Sequence, residues 1–330
     1  MTNISKRPLG TTGMEVTEVG LGGGFLREDA TEHDEAIRVV HRALELGVNY
    51  IDTAPFYGNS QEVLGEALEG RKEPYYLGTK CGRWDWRTGP YGELDAFKEQ
   101  FEQTLRDLRR DRVDILYIHE ADWVVYWRDD RTPRSTCHIS PHEHYDYGRA
   151  PVTQFLLWAT EQGMAKHLGI TGNNAHLLAK VPQEAELPVE VVLIAFQYSL
   201  IWRNAAEYLL PVAEELGVGV VLGAPLEQER LSVPHEEWIE NPPDWMDEDL
   251  RTRFADCYAI HHETGLSLAA LGMRFLLADK RAATIIPGAA TVEEIEENVG
   301  CAGEGPLPPD LHARADALGK VFDGVHGVDY

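Results

Sequence analysis

The chain has 330 residues, 43% of them hydrophobic, with 30 lysines and arginines against 55 aspartates and glutamates, a formal net charge of −25. That charge repels nucleic-acid phosphates and anionic membrane surfaces, so neither is expected as a partner. No apolar run reaches signal-peptide length in residues 1–20 or membrane-spanning length anywhere, and Cys81, Cys137, Cys257 and Cys301 lack CxxC spacing, so the expected setting is a reducing cytoplasm without a disulfide framework.

Short β-type runs alternate with longer helical stretches along the chain, the pattern of parallel α/β architecture. Arg7-Pro8-Leu9-Gly10 and Glu15-Val16-Thr17, turned at Gly13, predict a hairpin that closes a barrel floor. Val19 to Leu21 is the first strand and leads into Gly22-Gly23-Gly24. A helix is predicted from Thr31, as its cap, to Leu46, with Gly47 as its stop. Tyr50-Ile51-Asp52, a helix near Gln61 to Leu68, the strand Tyr75 to Thr79 ending at Lys80, the helix Leu94 to Leu108 and the strand Val113 to Ile118, apolar but for Asp114, follow. After a polar interval come helix Val152 to Gln162, strand His167 to Thr171, helix Ala175 to Lys180, strand Val191 to Phe196, helix Ala205 to Leu216 and strand Gly219 to Leu222. Beyond a second interval, Pro225 to Asp249, helices are predicted at Phe254 to His262 and Ser267 to Leu277. Strand Thr284 to Ile286 and helix Val292 to Val299 complete the series.

Eight strands, each followed by helix, favour a closed (β/α)8 barrel over an open sheet. No G-x-G-x-x-G joins a strand to a helix, so the Rossmann phosphate fingerprint is missing. No linker breaks the pattern, and one barrel domain over residues 1–330 is expected, with long mouth loops at about 120–150 and 225–250.

Barrel chemistry gathers where strands end. Asp52 ends the second strand, Lys80 the third and His119 the fourth, and Tyr57 follows Asp52 by five residues. Four titratable side chains are thus expected at one mouth. A tyrosine near its ordinary pKa of about 10 exchanges protons poorly at neutral pH, and an adjacent ammonium such as Lys80 is expected to lower it. Asp52 would hold Lys80, and His119 would donate a hydrogen bond to a carbonyl oxygen. That set suits carbonyl–alcohol interconversion, with the hydride supplied by a nicotinamide cofactor.

Asn49 to Gly58 with Glu62 and Leu64-Gly65-Glu66-Ala67-Leu68, Gly78-Thr79-Lys80, Asp114 to His119, and Ile286-Pro287-Gly288 through Glu297-Asn298 together resemble the aldo-keto reductase superfamily, in the right order over nearly the whole chain. The resemblance implies a catalytic tetrad at Asp52, Tyr57, Lys80 and His119. It also implies an extended NAD(P)(H) along the mouth, contacted at Gly22, Gly23, Gly24, Asp52, Thr171, Gln197, Gly223, Ala224, Leu226, Gly288, Ala289, Glu294, Glu297 and Asn298. Three departures stand out. Gly172 replaces an asparagine, with Asn173 one place later. Gly223 stands where many members stack a tyrosine on the nicotinamide. Gly288 and Glu294 stand where NADPH-using members carry lysine and arginine. A glutamate repels a phosphate dianion but accepts hydrogen bonds from a free ribose hydroxyl, so NAD(H) is expected in preference to NADP(H). Thr79 to Trp84, Gly169 to Gly172 and Gln197 to Leu200 resemble the L-galactose and L-fucose dehydrogenase branch, which implies an NAD-linked sugar dehydrogenase.

The first long loop, Glu120 to Ala150, carries Trp123, Tyr126, Trp127, Tyr145 and Tyr147. Aromatic faces suit a sugar ring, so Trp84 and Trp123 join Tyr57 and His119 as expected substrate contacts. The second loop, with Trp238 and Trp245, is expected over the cofactor or pocket. Cys137, His138, His142 and His144 do not have the spacing of a closed metal site, and no metal is expected. A small carbonyl or sugar substrate is the expected partner, and homo-oligomerisation stays open. Two other readings remain: a broad NADPH-dependent aldehyde or ketone reductase, and a non-catalytic barrel that senses nucleotide.

Overall fold

The computed structural model describes residues 4–128, 137–185 and 187–321. Strands β1 (Lys6–Pro8) and β2 (Glu15–Thr17) pair antiparallel as the expected hairpin. Eight parallel strands follow in spatial order: β3 (Leu21–Gly22), β4 (Tyr50–Asp52), β5 (Tyr76–Cys81), β6 (Val113–Ile118), β7 (Ala165–Gly172), β8 (Val191–Ala195), β9 (Gly219–Gly223) and β10 (Thr284–Ile286). Bridges from Val19 to Ile285 and from Gly22 to Gly288 join the first strand to the last. The sheet therefore closes into a (β/α)8 barrel.

The hairpin plugs the floor because its apolar residues have nowhere else to go. Leu9, Met14 and Val16 are buried in the barrel interior with Tyr50, Ile115, Tyr117, Val191, Leu193 and Val221. A larger apolar layer lies between the strands and the helices α1 (His33–Leu46), α2 (Ser60–Ala67), α3 (Leu94–Asp107), α4 (Pro151–Glu161), α5 (Ala175–Glu184) and α6 (Leu210–Leu216). The short α7 (Glu237–Glu240), then α8 (Glu248–Thr264), α9 (Leu268–Leu276), α10 (Val292–Glu304) and α11 (Pro309–Ala317) complete it. Helix α1 buries Ala36, Val39, Val40, Ala43 and Leu44, the three-and-four spacing of one helical face.

Strand positions follow the sequence reading closely, and several helical details differ, among them the short α7 and the longer α5 and α10. Thr31 does not cap α1: Glu32 holds that position without a side-chain bond, and the Thr31 hydroxyl is buried without a partner. Residues Ala205–Leu209 form a π-helical turn ahead of α6, which widens the helix where Pro211 offers no N–H. Helix α8 begins at Glu248, six residues earlier than its apolar pattern suggested, because the Asp247 carboxylate accepts the Leu250 N–H as a cap. Helix α11 has no counterpart in the sequence reading. Only Ala315 is fully buried along it, so it shows almost no apolar stripe.

Candidate active site

The mouth is held in unusual backbone. Seven non-glycine residues among those described have positive φ, and six of them, Arg83, Glu120, Phe196, Ala224, Glu227 and Gln228, lie within five residues after strand ends there. Left-handed backbone costs a non-glycine residue energy, and such residues collect where side chains must be aimed. All of these six but Glu227 border a cavity of about 870 Å³.

Asp52, Tyr57, Lys80 and His119 all line this cavity. Lys80, 1% exposed, pairs with Asp52 Oδ2, and its Nζ also donates to the Thr53 carbonyl at 2.9 Å. The ammonium lies 4.6 Å from the centre of the half-buried Tyr57 ring. His119 meets that ring edge-on, 5.8 Å away at 89°. The four side chains expected to converge therefore do so, because they leave adjacent parallel strands in register. Gly78 is needed beneath them, since a Cβ there would stand 3.1 Å from the Tyr50 hydroxyl and the Tyr117 ring.

The electrostatics differ from expectation in one respect. Burial raises the Tyr57 phenol more than Lys80 lowers it, so the phenol ends above its ordinary value. Burial alone would lower the Lys80 ammonium, but Asp52 and Tyr57 outweigh it and hold the lysine charged. Burial, with Lys80 and Arg83 adding repulsion, pushes the His119 imidazole well below its usual range. His119 is thus neutral near pH 7 and keeps one N–H to donate.

A depressed folded-state pKa adds stability above the unfolded value, near 6.5, and that stability is lost as the pH falls below it. The urea midpoint of the wild type should therefore drop more steeply below about pH 6.5 than that of His119→Gln. Parallel acid limbs for the two proteins would show that His119 is not buried neutral.

Glycines line the wall on either side of β3. A Cβ at Gly23 would lie 2.6 Å from the Asp52 carbonyl, one at Gly22 3.0 Å from the Ile286 carbonyl, and Gly24 opens onto free space. Gly223, Ala224, Leu226, Thr171, Gly288, Glu294, Glu297 and Asn298 also line the cavity. Two expected contacts do not. Ala289 is buried behind Gly288 and Ala290. Gln197 lies beneath the wall, its Oε1 accepting from Ala175 N at 3.4 Å while its buried Nε2 has no partner. Gly172 has a local cause: a Cβ there would press to 2.9 Å from the Asp122 carboxyl, whose Oδ2 accepts both Asn173 N and Asn174 N at 3.0 Å. Asn173 is thereby delivered to the cavity wall. Beside Gly223, Phe196 supplies an aromatic ring to the same stretch of wall.

The substrate tryptophans are corrected. Trp84 turns outward and packs on Tyr91 and Phe97 at 5.3 and 4.8 Å. Trp123 is 8% exposed and reaches the cavity only by backing Arg83. Tyr126, Trp127, Tyr145 and Tyr147 are buried with them, so the first long loop uses its aromatics as a small core of its own. Residues 129–136 of that loop lie outside the described residues. The cavity presents Phe56, Arg83, Glu120 and Asn173 in their place. Sequence reasoning missed Phe56, Arg83 and Glu120, although Arg83 lies three residues past Lys80 and Glu120 one past His119. Across the mouth, the second loop contributes Arg230, His235, Trp238 and Trp245, with Arg230 4.3 Å above Trp245. Cys137 Sγ lies 3.7 Å from His138 Nδ1 while His144 faces Glu184, and no metal-holding group of three forms among the described residues.

Comparisons with known proteins agree with this arrangement. Over 317 residues the chain is 28% identical to L-galactose dehydrogenase of Arabidopsis thaliana, covering 92% of this chain and 90% of that protein. It is 26% identical to pyridoxal 4-dehydrogenase of Microbacterium luteolum, covering 89% and 92%. The holo form of an aldo-keto reductase from Bacillus halodurans superposes with a TM-score of 0.73 at 24% identity, covering 97% of this chain and 99% of that one. Residues 18–320 match the model of the Aldo/keto reductase family. The chain belongs to that family and is an NAD(P)-dependent oxidoreductase acting on CH–OH and carbonyl groups.

Proposed function

We propose that this single-domain barrel is an NAD(H)-linked sugar dehydrogenase, oxidising an aldose or polyol, with Tyr57 as its general acid and base. The observation that carries the reading is the buried Lys80, paired with Asp52 and set against the Tyr57 ring beside a neutral His119 at the head of a glycine-lined cavity. A bound nicotinamide dinucleotide would supply or accept the hydride, which no side chain can carry. Gly22 to Gly24, Gly223 and Gly288, which leave the wall free of side-chain bulk, would hold it together with the polar side chains of Thr171, Asn173, Glu294, Glu297 and Asn298.

The remaining work belongs to the chain. His119 donates a hydrogen bond to the substrate oxygen and turns it towards Tyr57. In reduction, the Tyr57 hydroxyl gives its proton to that oxygen as negative charge develops. In oxidation, the Tyr57 phenolate, stabilised by the Lys80 ammonium, takes the proton from the alcohol and ends as the phenol. Asp52 keeps Lys80 charged and in place.

The dinucleotide preference rests on Glu294. Its carboxylate folds back to accept the Ala290 N–H at 2.7 Å, while Thr291 Oγ1 accepts the Glu294 N–H at 3.2 Å. The N-terminus of α10, which attracts anions, is thus already served by the chain's own carboxylate. Arg27 and Arg230 on the same wall favour a second reading, a broad NADPH-dependent aldehyde or ketone reductase.

A panel of aldoses, polyols and simple aldehydes, followed by nicotinamide absorbance with each dinucleotide, separates the two. The leading reading expects aldose oxidation with NAD+, and Glu294→Arg should shift the NADPH-to-NADH affinity ratio about tenfold towards NADPH, the size of one charge-assisted contact. Tight NADPH and weak NADH binding by the wild type would overturn it.

A further inference from the structure

The cavity wall beside the tetrad carries a charged pair that proton transfer does not use. Arg83 Nε lies 2.6 Å from Glu120 Oε2, both side chains being largely buried. The guanidinium is clamped between two rings, 4.4 Å from Phe56 and 4.5 Å from Trp123. Its backbone is equally constrained. Arg83 and Glu120 both adopt left-handed φ, +64° and +63°. The Tyr126 hydroxyl accepts the Arg83 N–H at 2.8 Å and donates to the His119 carbonyl at 2.5 Å, tying the ends of β5 and β6 together. Gln100 brackets Gly82 through both its N–H and its carbonyl, at 2.7 and 3.1 Å. Asn173 Nδ2 holds Glu120 Oε1 at 2.9 Å.

For all this fixing, the guanidinium is underused. It has five N–H donors, and no described residue accepts a hydrogen bond from its two terminal nitrogens, although Arg83 borders the cavity. Strained backbone, a ring clamp and unspent donors at a cavity wall describe a built recognition element.

We propose that Arg83, aimed by Glu120, Phe56 and Trp123, is a specificity-determining residue that grips the hydroxyl groups beside the reacting carbon of an uncharged, hydroxyl-rich substrate. This rests on the sugar reading above and names the residue that would enforce it. A hydroxyl both donates and accepts, so Arg83 donors and the Glu120 carboxylate together match a pair of neighbouring hydroxyls. A carboxylated substrate fits less well. Glu120 already occupies the Arg83 guanidinium at 2.6 Å, and Glu229, Glu294 and Glu297 line the same cavity.

The test uses matched carbonyls that differ in their hydroxyls, D- or L-glyceraldehyde against propionaldehyde, and an acidic pair, succinic semialdehyde against butyraldehyde. The wild type should prefer glyceraldehyde in kcat/KM. Arg83→Lys should cut that preference about tenfold or more, chiefly through the KM of glyceraldehyde, because hydrogen bonds to a charged group are worth roughly tenfold to a hundredfold. Arg83→Met with Glu120→Gln should do the same without leaving a carboxylate buried and unpaired, and thermal melting checks that both variants fold. Calorimetric titration of an aldonolactone in the presence of NAD+ should show a matching loss of affinity without any turnover. The proposal is overturned if neither variant changes the glyceraldehyde preference or the lactone affinity, or if the wild type favours succinic semialdehyde over butyraldehyde. Failure of the sugar reading looks different: no aldose would be oxidised, while the glyceraldehyde preference would still depend on Arg83.

Discussion

Replacing Tyr57 with phenylalanine should lower kcat by about a thousandfold, within the 10²–10⁴ range of general acid–base catalysis, with KM changed less than about threefold. The substitution removes only the hydroxyl. The ring keeps its place 4.6 Å from the Lys80 ammonium and edge-on to His119, so packing and substrate access survive. Without the hydroxyl, an alkoxide forming in the cavity has no positioned proton donor, because His119 is neutral and carries a single N–H. Steady-state kinetics in both directions measure the loss, and turnover within tenfold of the wild type would remove Tyr57 from its role. Burial raises the phenol, so the acid form that reduction needs should persist beyond the ordinary phenol range. The reductive rate of the wild type should therefore show no alkaline fall through neutral and mildly basic pH. The oxidative direction needs the opposite protonation state and should gain as the pH rises.

Lys80→Met should damage stability and activity together. The ammonium and its Asp52 partner are almost wholly buried, and Asp52 Oδ1 already has no hydrogen-bond partner. Removing the lysine leaves a buried carboxylate with no counter-charge. Breaking a buried pair from one side costs about 3–5 kcal/mol, far more than the pair contributes net. Urea unfolding should show a loss of that size. Adding Asp52→Asn should restore most of the stability, since a neutral amide carries no unpaired charge. It should not restore turnover, because the cation beside the Tyr57 phenol is still missing. Equal unfolding midpoints for the single and double variants would mean that the unpaired carboxylate is not what destabilises the barrel.

The barrel was legible for a simple reason. A strand covered on both faces is nearly continuously apolar, and runs such as Ile115–Ile118 and Val191–Ala195 leave little choice of element. The tetrad was legible because Asp52, Lys80 and His119 end three adjacent parallel strands, so linear position translates directly into a place at the mouth. Where polar contacts and not periodicity set an element, the sequence was mute. The cap at Asp247, the unused Thr31 and the almost stripe-free α11 are examples.

The aromatic residues mark the limit most clearly. Composition offered Trp84, Trp123 and the loop tyrosines as a sugar platform, because a ring suits a core as well as a ligand. The tertiary structure sends them into a local core and turns Phe56, Arg83 and Glu120 into the cavity. Their direction depends on left-handed backbone at Arg83 and Glu120 and on the Tyr126 hydroxyl bridging two strand ends. None of this leaves a periodic trace. By itself, then, the amino-acid sequence determined the barrel and the meeting of Asp52, Tyr57, Lys80 and His119 at its mouth, since both follow from local pattern. Which side chains face the cavity was decided only by long-range packing, where one hydroxyl or one backbone angle chooses the side of the wall a residue occupies.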